Sequence, residues 1–233
     1  MSLPKSVVPL ESNPEVFTGM AKKIGLKNGF EFYDIFSLTE PDLLAFLPRP
    51  MTAIILLFPL NRLFESSKDS ESTSANADTL PVWFQQKVRN ACGLYALLHS
   101  LSNNADCLIP DSLLGKFLQE SVNTDNKFDD ETTDNFIISL GDLYSQSSSQ
   151  GQTEAPDAND EVDLHFITFV NRAGEVYELD GRRGDGAKSL GKSSSQDLLE
   201  EPVIKSRVQW YMDNADEDSR LKFSLLGLGP SWD

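Results

Sequence analysis

The spacing of apolar residues changes several times along this chain, and each change marks an element. In "QQKVRNACGLYALLHS", residues 85 to 100, the chain is polar as far as Asn90 and apolar beyond it. Leu94, Leu97, Leu98 and Leu101 follow at i, i+3, i+4 and i+7, the spacing of a core-facing helix stripe. "SNPEVFTGMAKKIGL" predicts an earlier helix, with Asn13 as its cap, Pro14 in its first turn and Gly25 at its end. "FEFYDIF", residues 30 to 36, has the aromatic and β-branched content of a strand. "SLTEPDLLAFL" sets Ser37 and Glu40 at capping-box spacing ahead of a short helix, which "PRP" at 48 to 50 ends. "TAIILLFPL", 52 to 60, is continuously apolar and too short to cross a bilayer, so it predicts a buried strand. "LHFITFV" and "EVYELDG" predict two strands joined by a turn over Asn171 to Gly174, and "LKFSLLGL", 221 to 228, a further strand. Helices are expected near 111 to 121, 129 to 144 and 196 to 214. This order predicts an α/β (α+β) protein with a central antiparallel sheet flanked by helices.

Two stretches lack either period. Residues 61 to 80 are rich in Ser, Asp, Glu, Asn and Thr and read as an exposed variable loop. "SQSSSQGQTEAPDANDEVD", 145 to 163, reads as a long loop. Its composition does not choose between a functional loop and a disordered insertion.

Composition narrows the partners. The net charge of −16 argues against nucleic acid and anionic membranes, and suits a partner with a basic face. The first residues lack the apolar core of a signal peptide, which predicts a cytoplasmic chain that can also enter the nucleus. The two cysteines, Cys92 and Cys107, are then expected as free thiols.

Cys92 carries the candidate chemistry. It falls on the first turn of its helix, roughly opposite the centre of the leucine stripe. There the unpaired N–H groups and the helix dipole favour a thiolate. A buried structural cysteine is the plain alternative. A cysteine nucleophile needs a histidine, and the chain has only His99 and His165. His99 is seven residues on, about 10 Å along the axis, and reads as structural or surface. That leaves His165. With the turn centred between Arg172 and Ala173, Val170 opposes Glu175 and His165 opposes Asp180. Such partners share a face, at a separation suited to a carboxylate that orients an imidazole. For an oxyanion donor the candidates are the Cys92 N–H and the side-chain amides of Gln85 and Gln86; spacing does not choose among them. Cys107 has no histidine nearby and reads as structural. The acidic runs at 160 to 163 and 213 to 219 lack ligand spacing, so neither metal nor cofactor is expected.

"QQKVRNACGLYALLHSLSNN", "GQTEAP", "VDLHFITFV" and "YELDGR", with "PLESNPEVF" and "LLAFLPRP" nearer the start, resemble the motifs of the ubiquitin C-terminal hydrolases. The resemblance covers nearly the whole chain. It implies one catalytic domain over 1–233, a papain-like fold with a knotted backbone, and action on ubiquitin or a ubiquitin-like protein; a monomer is the default expectation. It implies Cys92 as nucleophile, His165 as general base and acid, Asp180 as its orienting carboxylate and Gln86 as the oxyanion-hole glutamine. Residues 145 to 163 would be a crossover loop that limits leaving groups to small adducts and short extensions. By the same resemblance, Glu11, Glu15 and Asp34 fall at acidic positions that in relatives face the basic C-terminal side of ubiquitin. Leu94 departs from the threonine often found there, which implies altered packing with little chemical effect. A non-catalytic ubiquitin-binding module of the same fold is the alternative.

Overall fold

The computed structural model describes residues 4–61, 63–64, 80–121, 128–152, 157–160 and 162–232. Six strands form one antiparallel sheet in the order β1-β6-β2-β3-β4-β5: β1 Phe30–Asp34, β2 Ala53–Pro59, β3 Leu164–Arg172, β4 Glu175–Leu179, β5 Lys188–Lys192 and β6 Ser224–Pro230. The two central strands, β2 and β3, are buried on both faces. Ala53, Ile55, Phe166 and Val170 point to one core. Ile54, Leu56, Phe58, Ile167 and Phe169 point to the other. A strand covered on both sides needs apolar residues at odd and even positions alike, which is why 52 to 60 reads as an unbroken apolar run.

On the first face lie helices α1 (Pro14–Ile24), α3 (Cys92–Ser102), α4 (Leu113–Ser121), α5 (Asp130–Ser139) and α6 (Gly141–Ser148). On the second lie α7 (Pro202–Asp213) and the short α2 (Pro41–Leu44). Helix α1 starts and stops as its sequence predicts. Asn13 accepts from the N–H groups of Glu15 at 2.8 Å and Val16 at 3.4 Å, and Gly25 closes the helix at φ 141°. Helix α2 differs. Ser37 accepts from the N–H groups of Thr39 and Glu40, a local turn in place of a capping box, and the helix begins only at Pro41.

Three other expectations shift. The helix expected over 129 to 144 breaks at Leu140, and its second part runs to Ser148, four residues into the stretch expected to be loop. The helix expected from 196 begins as a 3-10 turn and turns α-helical at Pro202, whose fixed φ suits a first turn. Strand β5, "KSLGK", went unpredicted because its polar residues suit an exposed sheet edge, where lysines discourage further pairing. The exposed loop expected over 61 to 80 lies mostly outside the described residues, as does "TEAP" within 145 to 163.

The β3–β4 hairpin also corrects the expected register. Its turn is the two residues Ala173 (φ 52°) and Gly174 (φ 80°), the positive pair that suits a two-residue hairpin. Arg172 therefore pairs with Glu175, and Val170 with Tyr177. The expected pairing of Val170 with Glu175, and of His165 with Asp180, is off by two residues. A two-residue difference preserves the face, so His165 and Asp180 still share one.

Candidate functional site

Helix α3 is the central pillar, and all eleven of its residues are buried. The sheet meets the small-residue side of the helix, where Gly93 packs against Phe166 and the Ala96 carbonyl accepts the Thr168 hydroxyl at 2.9 Å, while Leu94 faces α5, α6 and the N-terminal segment. Cys92 is the first helical residue and is 8% exposed. Asn90, two residues earlier, takes φ 62°, a left-handed conformation that asparagine tolerates and that turns the chain sharply into the helix. Tyr144 supports this turn. Its hydroxyl donates to the carbonyl of Val8 at 2.8 Å and of Asn90 at 3.4 Å.

His165 sits near the start of β3, beyond the last pair of the β3–β4 ladder. Its Nε2 is 2.7 Å from Oδ1 of Asp180. Both side chains are buried, and Phe58 packs edge-on against the imidazole with ring centroids 5.8 Å apart. Asp180 follows β4, diagonal to His165 across the ladder, where two side chains on one face still meet. The same Oδ1 accepts the backbone N–H of Arg182 at 2.8 Å. With Nε2 committed to Asp180, Nδ1 is left for the thiol.

Cys92 and His165 interact directly. Burial pushes the Cys92 thiol up, but the hydrogen bond and charge of His165, with the N–H groups of Phe166 and Gly93, outweigh it and leave its pKa below the ordinary value. Burial pushes His165 down, while Asp180 and then Cys92 hold it above its ordinary value. The pair therefore favours thiolate and imidazolium, the charge state of a cysteine nucleophile beside its acid. Cys107 contrasts with it: burial raises its thiol to about 11.

Gln86, half-buried, lines a cavity of about 490 Å³ together with Cys92 and His165. Gln85 is exposed, and only Gln86 reaches this cavity. The Gln86 amide donates one N–H to the carbonyl of Val88 at 2.9 Å, and its second N–H remains as a donor. Its Oε1 is buried with no hydrogen-bond partner among the described residues. The residues around Gln86 are tied to those around Asp180. The Gln86 N–H donates to the carbonyl of Gly181 at 2.7 Å, and the Trp83 indole N–H to the carbonyl of Asp180 at 3.0 Å. Only glycine fits at 181, where a Cβ would stand 2.9 Å from that of Gln86. His99 supports this strip from below. It is fully buried, and its Nε2 accepts the Phe84 N–H at 3.0 Å. That settles it as structural. Trp83 carried no signal in the sequence, because its partner is a backbone carbonyl almost one hundred residues away.

Cys92 also borders a second, more apolar cavity of about 330 Å³ on the side away from His165, with Leu10, Leu57, Leu164 and Phe166 in its walls. Glu11 is in that wall, with Gly151 packed against its carboxylate. Asp34 lines a separate groove beside exposed Phe36 and Leu221. Ser224 borders both spaces. Glu15 is exposed on the first turn of α1. Burial raises the Asp34 carboxyl. Among the described residues no group of three or more His, Cys, Asp or Glu is placed to hold a metal, and no helix is long and apolar enough to cross a membrane.

The family model for ubiquitin carboxyl-terminal hydrolase, family 1, matches residues 7–213. Ubiquitin carboxyl-terminal hydrolase YUH1 of Saccharomyces cerevisiae is 50% identical over 98% of both chains. A ubiquitin carboxyl-terminal hydrolase of Drosophila melanogaster is 32% identical over 94% of this chain and 96% of its own. Among solved structures, the Trichinella spiralis UCH37 catalytic domain, bound to ubiquitin vinyl methyl ester, superposes with a TM-score of 0.70 at 24% identity. The match covers 96% of this chain and 95% of that one, and shows a shared fold. A thiol paired with a buried imidazole, and a match along almost its full length, place this chain in the ubiquitin carboxyl-terminal hydrolase family 1.

Proposed function

We propose that the protein is a cysteine-type hydrolase that releases small adducts and short peptide extensions from the C-terminal glycine of ubiquitin or a ubiquitin-like protein. The observation that carries this reading is the buried contact of Cys92, His165 and Asp180, with Gln86 in the same cavity. The Cys92 thiolate attacks the carbonyl carbon of the terminal glycine. The oxyanion that forms is held by the free N–H of Gln86 and the N–H of Cys92. The His165 imidazolium gives its proton to the departing amine or thiol as the acyl–sulfur bond remains. Neutral His165 then takes a proton from water, which attacks the thioester, releases the free carboxylate and restores the thiol pair.

The two cavities divide the substrate. The leaving group must lie where His165 can protonate it, so it takes the polar cavity. The acyl side then takes the apolar cavity, whose wall holds Glu11. Glu11, Glu15 and Asp34 supply negative charge for the basic tail of ubiquitin. The same reading makes the protein a cytoplasmic monomer, which also enters the nucleus.

Hydrolysis of a fluorogenic ubiquitin C-terminal amide by wild type, Cys92→Ala and Cys107→Ala tests it. Turnover by wild type and Cys107→Ala with none by Cys92→Ala supports the reading. Binding of ubiquitin without turnover by any of the three supports a binding module in its place.

A further inference from the structure

Arg89 and Asn90, which line the polar cavity, reach across to a turn at residues 157–160. The Arg89 guanidinium donates to the carbonyls of Asn159 at 2.6 Å and Asp160 at 3.1 Å. The Asn90 amide donates to the carbonyls of Ala158 at 3.1 Å and Asp160 at 3.3 Å. The acceptors belong to a turn that holds itself together. Asp157 Oδ1 accepts the Asn159 N–H at 2.8 Å, and Asp160 Oδ2 accepts the Asp157 N–H at 3.0 Å. Such Asx turns fix backbone carbonyls in place. Two residues beyond the turn, Val162 enters the walls of both cavities that meet at Cys92.

The backbone of Arg89 is fixed independently of its side chain. It pairs with the N-terminal segment, with Val7 donating to its carbonyl at 3.1 Å and its own N–H donating to Lys5 at 3.2 Å. The charged side chain is thus free to span the gap, and both bonds come from Nη2, where the charge makes them stronger than neutral ones.

We propose that Arg89 is a specificity-determining residue for the leaving group, because its bridge to the turn at 157–160 sets the width of the cleft on the His165 side. The inference rests on the hydrolase reading above. A space of about 490 Å³ holds a small adduct or a few residues. A folded leaving group needs the two walls apart. Arg89 touches no reacting atom; it lines this cavity on one side and holds the turn that leads to Val162 on the other.

The test compares wild type, Arg89→Ala and Arg89→Lys on two substrates, a fluorogenic ubiquitin amide and ubiquitin fused through its C-terminal glycine to a folded domain. Amide hydrogen exchange at residues 157–160 is followed in the same proteins. Arg89→Ala is expected to raise kcat/KM for the folded fusion at least tenfold relative to that for the amide, and to speed exchange at the turn. Arg89→Lys, which keeps the charge but ends one atom short of Nη2, falls between. Equal changes on both substrates, unchanged exchange, or an Arg89→Lys protein identical to wild type would overturn the proposal. If wild type fails to cleave the amide, the hydrolase reading falls, and the exchange rates still report whether Arg89 holds the turn.

Discussion

The Trp83 indole N–H donates to the carbonyl of Asp180 at 3.0 Å, and three residues on the Gln86 N–H donates to Gly181 at 2.7 Å. Two neighbouring bonds make the strip from 83 to 86 and the turn after β4 one mechanical unit. The amide proposed to hold the oxyanion and the carboxylate that orients His165 therefore move together.

Trp83→Phe removes the donor and keeps most of the packing. A single hydrogen bond contributes about 1 kcal/mol, so kcat is expected to fall about three- to tenfold, with KM for a ubiquitin amide unchanged. In an Asp180→Asn background the same substitution should add little, since both act on one imidazole. Additive losses in the double mutant would show that Trp83 supports the fold alone.

The thiol pair sets a pH signature. The Cys92 pKa is lowered and that of His165 is raised, and each shift favours the thiolate–imidazolium pair. Alkylation of Cys92 by iodoacetamide should rise through a midpoint below the ordinary thiol value of about 8.5. Asp180→Asn removes the charge that holds His165 up, and should move that midpoint upward. Cys107 is 2% exposed with a pKa of about 11, and should label only after unfolding.

His99 makes an acid-stability prediction. Burial lowers its pKa from 6.5 to about 4. Its Nε2 already accepts the Phe84 N–H, so protonation there would break that bond. The unfolded chain binds a proton as pH falls through 6.5, and the folded chain does not until about 4. Stability is therefore lost from pH 6.5 downward, by about 3 kcal/mol for this group once pH reaches 4. His99→Gln keeps an acceptor and does not titrate. Urea unfolding should show a shallower loss between pH 6.5 and 4 in that variant, and an identical slope would refute the assignment.

Charge should act on encounter. With a net charge of −16 facing a basic tail, association is attractive and screened by salt. For a ubiquitin amide, kcat/KM is expected to fall as ionic strength rises from 0.02 to 0.5 M, by about tenfold, while kcat holds. A flat profile would remove electrostatic steering from the account.

The sequence by itself determined a good deal. The unbroken apolar run at 52 to 60 marked a central strand, Asn13 and Gly25 bounded α1, and the change at Asn90 placed Cys92 at a helix start. These are local signals, written in caps and periods of a few residues. Parity along β3 and β4 brought His165 and Asp180 to one face although the register was off by two, because side-chain direction repeats every second residue. Tertiary structure alone decided the rest. Spacing left Gln85 and Gln86 open and only the family resemblance pointed to Gln86; that Gln86 reaches the cavity, and that α3 is covered on all sides by elements far away in the chain, show only in the fold. The bonds from Trp83 to Asp180 and from Arg89 to residues 159 and 160 end on backbone carbonyls. Every residue carries such an acceptor. No residue type marks which carbonyl is used, so only the folded chain selects it.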